Sequence, residues 1–149
     1  MPDDVLPIAE LCNCAAVRAA ARHVSQSYDQ FLAPSGLRTS QFSILARLKR
    51  LGPLGINALA EHMVMDRTTL GRNILPLQRD GLISVRPAAS DRRARELHLT
   101  KAGENRLQAA RKCWSAAQSR FEAAFGAKRS ANLRKALQAV AALELATEL

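Results

Sequence analysis

Acidic residues are scarce in this chain of 149 residues: 13 Asp and Glu stand against 22 Lys and Arg, a formal net charge of +9. Aromatics are scarcer still, with one Tyr, one Trp and four Phe, too few for a surface on which successive single-stranded bases stack. No run of 18 apolar residues occurs, so no segment is expected to span a membrane. The opening residues show no basic n-region leading into an apolar h-region, and the expected location is the cytoplasm. An odd count of three cysteines in a reducing compartment argues against a structural disulfide. His23, His62 and His98 fall on different segments, and Cys12 and Cys14, two apart on a helix, point in different directions. No metal site is therefore expected. Glycine-rich phosphate loops, H-E-x-x-H, G-x-S-x-G and paired carboxylates at a recognisable spacing are all missing, which speaks against an enzyme and leaves no cofactor to be expected.

What is present is positive charge, and it is unevenly placed. Residues 1–37 hold Arg18 and Arg22 against Asp3, Asp4, Glu10 and Asp29, whereas residues 38–101 hold twelve basic side chains against five acidic ones. A pI near 10.5 and charge gathered in the middle of the chain suit a partner that is a polyanion, since phosphate neutralisation releases counterions. The remaining excess, around Lys112, Lys128, Arg129 and Lys135, suits the solvated face of long helices.

Within that middle stretch the hydrophobic period changes. Leu82, Ile83 and Val85, then Leu97 and Leu99 alternating with Glu96 and His98, read as two short strands. Pro87, Ala88, Ala89 and Ser90 form a turn between them, followed by Asp91, Arg92, Arg93 and Arg95. The result is a hairpin with its charge at the tip. A merely soluble hairpin explains the strands but not three arginines within four residues; a tip that enters a minor groove explains both, because the narrow groove concentrates negative potential.

Upstream, Ile56, Leu59, Ala60 and Met63 recur at helical spacing, and Val64-Met65-Asp66 interrupts them before Asp66 caps a second helix. This is a helix-turn-helix pattern. Leu70, Ile74 and Leu77 form the inward stripe of the second helix, and Arg67, Thr68, Thr69 and Arg72 stand off it, with Asn73 on the flank. Arg72 has the geometry to pair with guanine, Asn73 with adenine, and the threonine methyls can meet thymine. Pro76 lacks the N–H that would bond the Arg72 carbonyl, so a kink or early loosening is expected there.

The ends differ from the middle. Leu6 to Phe31, Thr100 to Phe125 and Ser130 to Leu145 are alanine-rich helical stretches, with Gly126 as a stop and Ser130 as the cap of the last helix. Leu133, Leu137, Val140 and Ala141 form an apolar stripe, and Leu143 and Leu145 add apolar surface outside it. Such surface needs a partner, either the first helix of the same chain or a second molecule. The expected division is a scaffold helix over 1–37, a basic lobe over 38–100, and a linking and a terminal helix over 101–149.

Asp91-Arg92-Arg93, five further residues and Leu99-Thr100-Lys101-Ala102-Gly103 resemble the wing signature D-x-R-x5-L-T-x-x-G of the MarR family of bacterial transcription regulators. Leu37 to Phe42, Leu59-Ala60 and Met65 to Leu70 resemble the same family at corresponding places. The resemblance implies a mostly α fold, a winged helix-turn-helix with a two-stranded wing, in a homodimer interleaved through its terminal helices. It also implies recognition helices that address successive major grooves about 34–36 Å apart in a palindromic operator of double-stranded DNA. By that analogy Arg93 or Arg92 enters the minor groove, and Asp91 braces the wing arginines by charge-assisted hydrogen bonds. Members are usually repressors, released by a small molecule or by cysteine oxidation. A basic RNA-binding or architectural protein is the rival reading from charge and helix content alone.

For the releasing signal, an effector crevice between terminal helices and basic lobe is implied for an aromatic or anionic small molecule. Arg22, His23, Gln26, Phe42 and Trp114 are its candidate lining. Cys14 through Tyr28 also resembles the first helix of the organic-hydroperoxide sensors of the family, which would make Cys14 the peroxidatic thiol, Tyr28 its hydrogen-bond partner and Cys113 a candidate resolving thiol. A second tyrosine expected by that likeness is replaced by Thr39.

Overall fold

A computed structural model describes residues 6–145; residues 1–5 and 146–149, the outer ends of the first and last expected segments, lie outside the described residues. Among the described residues seven α-helices and three strands follow one another, with a short 3-10 helix (Ala33–Ser35) after the second: α1 (Leu6–Leu11), α2 (Asn13–Leu32), α3 (Thr39–Leu51), β1 (Leu54–Gly55), α4 (Ile56–Met63), α5 (Arg67–Arg79), β2 (Ile83–Pro87), β3 (Arg95–Leu99), α6 (Lys101–Phe125) and α7 (Ala127–Ala141). The mostly helical class and the winged helix-turn-helix expected from the sequence are both there. The sheet gains a strand: β1 pairs antiparallel with β3, so β3 is central in the order β1-β3-β2. Two residues between Pro53 and a helix carry no alternation that a sequence pattern detects.

One core organises the middle of the chain. Leu45, Leu48, Leu59, Leu70, Ile74, Leu77, Ile83 and Leu97 are buried together, joined by Leu32 from the end of α2 and by Leu107 and Ala110 from α6. On the hairpin, Ile83 and Val85 stand opposite Leu99 and Leu97 and share the inward face; Ser84 and Arg86 stand opposite His98 and Glu96 on the other. The two-residue period thus decides which half of each strand meets the helices.

Helix boundaries depart from expectation in three places, the first two with a local cause. The first long helix breaks at Cys12, whose backbone is extended and whose Sγ accepts the Ala15 N–H at 3.4 Å, capping α2. Ser130 is not a cap: α7 begins at Ala127, and Ser130 is buried inside it with its hydroxyl donating to the Gly126 carbonyl at 2.7 Å. Gly126 ends α6 and starts α7 at φ 100°, a conformation other residues avoid, so a single residue joins the two helices. α7 itself stops at Ala141, short of Leu145. Pro76 is tolerated, and α5 continues to Arg79.

The terminal helices are packed differently from the core. Along α2 the only buried residue is Leu32, and along α7 the only one is Ser130. Val17, Leu137, Val140 and Leu143 are exposed, at 44 to 58%. Between α2, α6 and α7 runs an apolar groove of about 990 Å³ lined by Val17, Val24, Phe121, Leu133 and Leu137 among others. No described helix is long and apolar enough to cross a membrane.

Candidate nucleic-acid interface

The helix-turn-helix is built by local chemistry. α4 ends where Val64 takes the left-handed conformation at φ 50°, and the Met65 N–H bonds back to the Ala60 carbonyl. Asp66 then caps α5: its carboxylate accepts the Thr69 backbone N–H at 3.2 Å and the Thr69 hydroxyl at 2.6 Å. These bonds, the hydroxyl first, hold the Asp66 carboxyl below its usual range. Such a cap satisfies one of the free N–H groups at the helix start and fixes the angle at which α5 leaves the turn.

Leu70, Ile74 and Leu77 bury the inner face of α5, as the stripe predicts. Arg67, Thr68, Thr69 and Arg72 are exposed. Thr68, Arg72, Leu75 and Arg79 lie within about 60° of one another on a helix that advances roughly 100° per residue, opposite the buried stripe. Leu75 escaped the sequence reading, although its spacing from Thr68 and Arg72 marked it; it is 65% exposed in the middle of the outward face. Asn73 behaves otherwise than expected of a base reader. Its Nδ2 donates to the Thr69 carbonyl at 2.9 Å and its Oδ1 accepts the Ser40 hydroxyl at 3.1 Å.

On the hairpin Arg92, Arg93 and Arg95 are all exposed. Its tip is closed by the Ala88 N–H to the Ala94 carbonyl at 2.9 Å and the Ala94 N–H to the Asp91 carbonyl at 3.1 Å. Asp91 does brace this turn, but through the backbone: its Oδ1 accepts the Arg93 N–H at 2.9 Å. The guanidinium groups are thereby left to project, an arrangement suited to phosphate or minor-groove contact.

The segment L-T-x-x-G fastens the hairpin to α6. Thr100 donates its hydroxyl to the Gly81 carbonyl at 2.6 Å and accepts the Gly103 N–H at 3.0 Å, while its own N–H bonds the Leu82 carbonyl at 3.1 Å. Gly103 is buried against Leu82 so closely that a Cβ there would stand 2.2 Å from the Leu82 carbonyl oxygen. Only glycine fits that crossing.

The residues considered for effector binding separate into two groups. Phe42 of α3 and Trp114 of α6 stack with ring centroids 6.2 Å apart and border a crevice of about 520 Å³ between α2, α3, α4 and α6. Arg22, His23 and Gln26 do not reach it; all three are exposed on the side of α2 away from Tyr28. The basic groups at the crevice are Arg47 and Arg50 of α3, on the stripe that Ser43 begins, a spacing the sequence displays but the reading overlooked. Tyr28 completes its rim and donates to Gln118 Oε1 at 2.6 Å. Burial, then the neighbouring Glu122 carboxylate, raise the Tyr28 phenol above its usual range while Arg134 pulls it down.

Among the thiols, Cys14 is exposed in the first turn of α2, whereas Cys113 is half-buried against the core. Cys14 and Tyr28 are fourteen residues apart on one helix, roughly 21 Å along its axis, so one chain alone does not bring them together. The Tyr28–Gln118 and Ser35–Arg106 bonds set α2 and α6 antiparallel, which places Cys113 beside the end of α2 remote from Cys14. Among the described residues, no three His, Cys, Asp or Glu side chains gather as a metal would require.

A capped helix laid beside a charged hairpin, both fixed to one core, defines the class of winged helix-turn-helix proteins. Residues 37–94 match the model of the MarR family. The chain is 36% identical to the transcriptional regulator MosR of M. tuberculosis, covering 88% of this chain and 98% of that one with a TM-score of 0.72. It is 37% identical to the same regulator in complex with DNA, over 87% and 98% of the two chains, TM-score 0.71. The transcriptional repressor CouR, bound to a 23-mer DNA duplex, is 25% identical over 90% of this chain and 94% of its own, TM-score 0.80. The transcriptional activatory protein BadR of Rhodopseudomonas palustris is 33% identical over 73 residues, 47% of this chain and 42% of that protein. The curated relatives are matched over 66% and 42% of their length. The chain belongs to the MarR family.

Proposed function

We propose that the protein is a transcription regulator, acting as a repressor, that binds a palindromic site in duplex DNA as a homodimer. α5 enters the major groove and the hairpin of β2 and β3 the adjacent minor groove. The observation that carries this reading is the common mounting of the exposed Arg72 face and the exposed Arg92, Arg93 and Arg95 tip on one closed core. The DNA complex of MosR and the duplex-bound CouR support it as relatives. The groove between α2, α6 and α7 supports the homodimer, since it offers apolar walls to the exposed stripe of a second copy's terminal helix. Selection of bound sequences from a random duplex pool tests the reading. An inverted repeat should emerge; equal binding to RNA of any sequence would favour an architectural role instead.

For release, the reading best supported is a small aromatic anion in the crevice: the Phe42 and Trp114 rings offer apolar walls, and Arg47 and Arg50 offer charge. Such a ligand shifts the protein off DNA only by binding the non-DNA state more tightly. Titrating the complex with aryl carboxylates and phenols should dissociate it; a flat response to all of them would count against the crevice. The exposure of Cys14 favours a second reading, release by oxidation, which a peroxide arm of the same titration with Cys14→Ser addresses.

A further inference from the structure

The outward side of α5 presents side chains with different freedom. Asn73 is held at both ends of its carboxamide: one N–H donates to the Thr69 carbonyl and the oxygen accepts the hydroxyl of Ser40, which stands in the first turn of α3, so the amide is oriented by the protein itself. Exchanging the amide nitrogen and oxygen would set oxygen against the Thr69 carbonyl oxygen, so the carbonyl fixes the orientation. Reading adenine takes both ends of a carboxamide at once. Thr69 is likewise engaged, since its hydroxyl donates to Asp66. Among the described residues, none holds the side chain of Thr68, Arg72 or Leu75 in a hydrogen bond or ion pair, and all three are exposed. Leu75 is the unusual one. An apolar side chain left 65% exposed at the centre of a polar helix face has a counterpart in the major groove, the 5-methyl of thymine.

We infer that Asn73 is a positioning residue that holds α5 against α3 through Ser40, and that base discrimination falls to Thr68, Arg72 and Leu75, with Leu75 meeting a thymine methyl. The inference rests on the reading of α5 as the helix that enters the major groove. The bridge runs Ser40 hydroxyl, Asn73 carboxamide, Thr69 carbonyl, and so ties the first turn of α3 to the first half of α5. Its loss tilts the whole reading face rather than erasing one contact.

The test measures affinity of the full-length protein for its selected duplex and for every single base-pair change in it, together with melting temperature. Asn73→Ala and Ser40→Ala should each weaken all duplexes by one common factor, roughly twofold to tenfold, the range of a partly exposed hydrogen bond. Their double variant should be no weaker than either alone, and Ser40→Thr, which keeps the hydroxyl, should bind like the parent. Replacing one thymine by deoxyuridine should weaken the parent but not Leu75→Ala. Loss of preference at a single base pair in Asn73→Ala, with Ser40→Ala unaffected, would make Asn73 a base reader and overturn the inference. So would a Leu75→Ala protein as sensitive to deoxyuridine as the parent. If Arg72→Ala, Leu75→Ala and Asn73→Ala all left affinity and preference unchanged, the placement of α5 itself would fail, a result distinct from either of the others. Should Asn73→Ala lower the melting temperature, Ser40→Ala and Ser40→Thr decide.

Discussion

The basic lobe and the terminal helices solve the same packing problem in opposite ways. From α3 to β3, apolar residues close on one another: Leu45, Leu59, Leu70 and Leu77 are all but inaccessible. In α1, α2 and α7 many apolar residues remain on the outside, with Leu11 at 77% and Val140 at 47%. The lobe, with Leu32 of α2 and Leu107 and Ala110 of α6, closes one core, but the terminal helices leave much of their apolar surface open. Burial of apolar area contributes on the order of 25 cal/mol per Å², so the proposed second copy would stabilise the scaffold by covering these faces. On the proposed function, DNA contact and assembly should therefore be separable by mutation.

The sharpest way to break that contrast is to charge the unfinished side. Leu137→Asp with Val140→Asp should give a monomer in sedimentation, with a folded lobe, and should lower affinity for a two-site duplex by about 10²- to 10⁴-fold through loss of bivalency. Dimers that survive the change would show that the groove is not the contact surface. Next in size is the joint between the two regions. Gly103→Ala forces the start of α6 off the Leu82 carbonyl, and a destabilisation of about 1–3 kcal/mol in denaturant unfolding is expected from such overpacking. Within the lobe, Arg93→Ala and Arg72→Ala should each cost about 1–3 kcal/mol in DNA binding with assembly unchanged, Arg72→Ala also relaxing preference at one base pair. An unaltered affinity in Arg93→Ala would remove the hairpin from the interface.

The smallest effect concerns the cap. Because the Asp66 carboxyl is held below its unfolded range, its contribution is complete above the unfolded pKa and disappears as pH falls through the lower folded value. Asp66→Asn should therefore narrow the stability difference between neutral and acid solution, measured by melting temperature across that window. The Lys49–Glu104 pair, which lowers the Glu104 carboxyl, is exposed and should add little.

Much of the lobe could be read in the sequence because its signals are local. Asp66 before an apolar stripe, the alternation around Leu97 and the spacing from Asp91 to Gly103 each concern residues near one another in the chain. What stayed hidden was set by distance. The cross-helix bond from Ser40 to Asn73 joins residues 33 apart, so nothing near Asn73 reveals that its carboxamide is occupied. The same holds for the crevice beside Phe42 and Trp114, where α2 turns Arg22 and Gln26 outward and α3 brings Arg47 and Arg50 in. Ser130 misled for another reason: a serine bonded to the carbonyl four residues back has the same composition signal as a serine that starts a helix.

The glycine contact at the start of α6 has a mechanical meaning. A helix of 25 residues is about 37 Å long, so tilting it by about 5° around one end displaces the other by roughly 3 Å. At the Gly103 end there is no slack to absorb such a tilt, because Thr100 and Leu82 lock strand, turn and helix together. α6 is thus joined to the hairpin without slack at its first turn, so the direction of the arginine tip is tied to the tilt of a helix whose far end lies among the terminal helices.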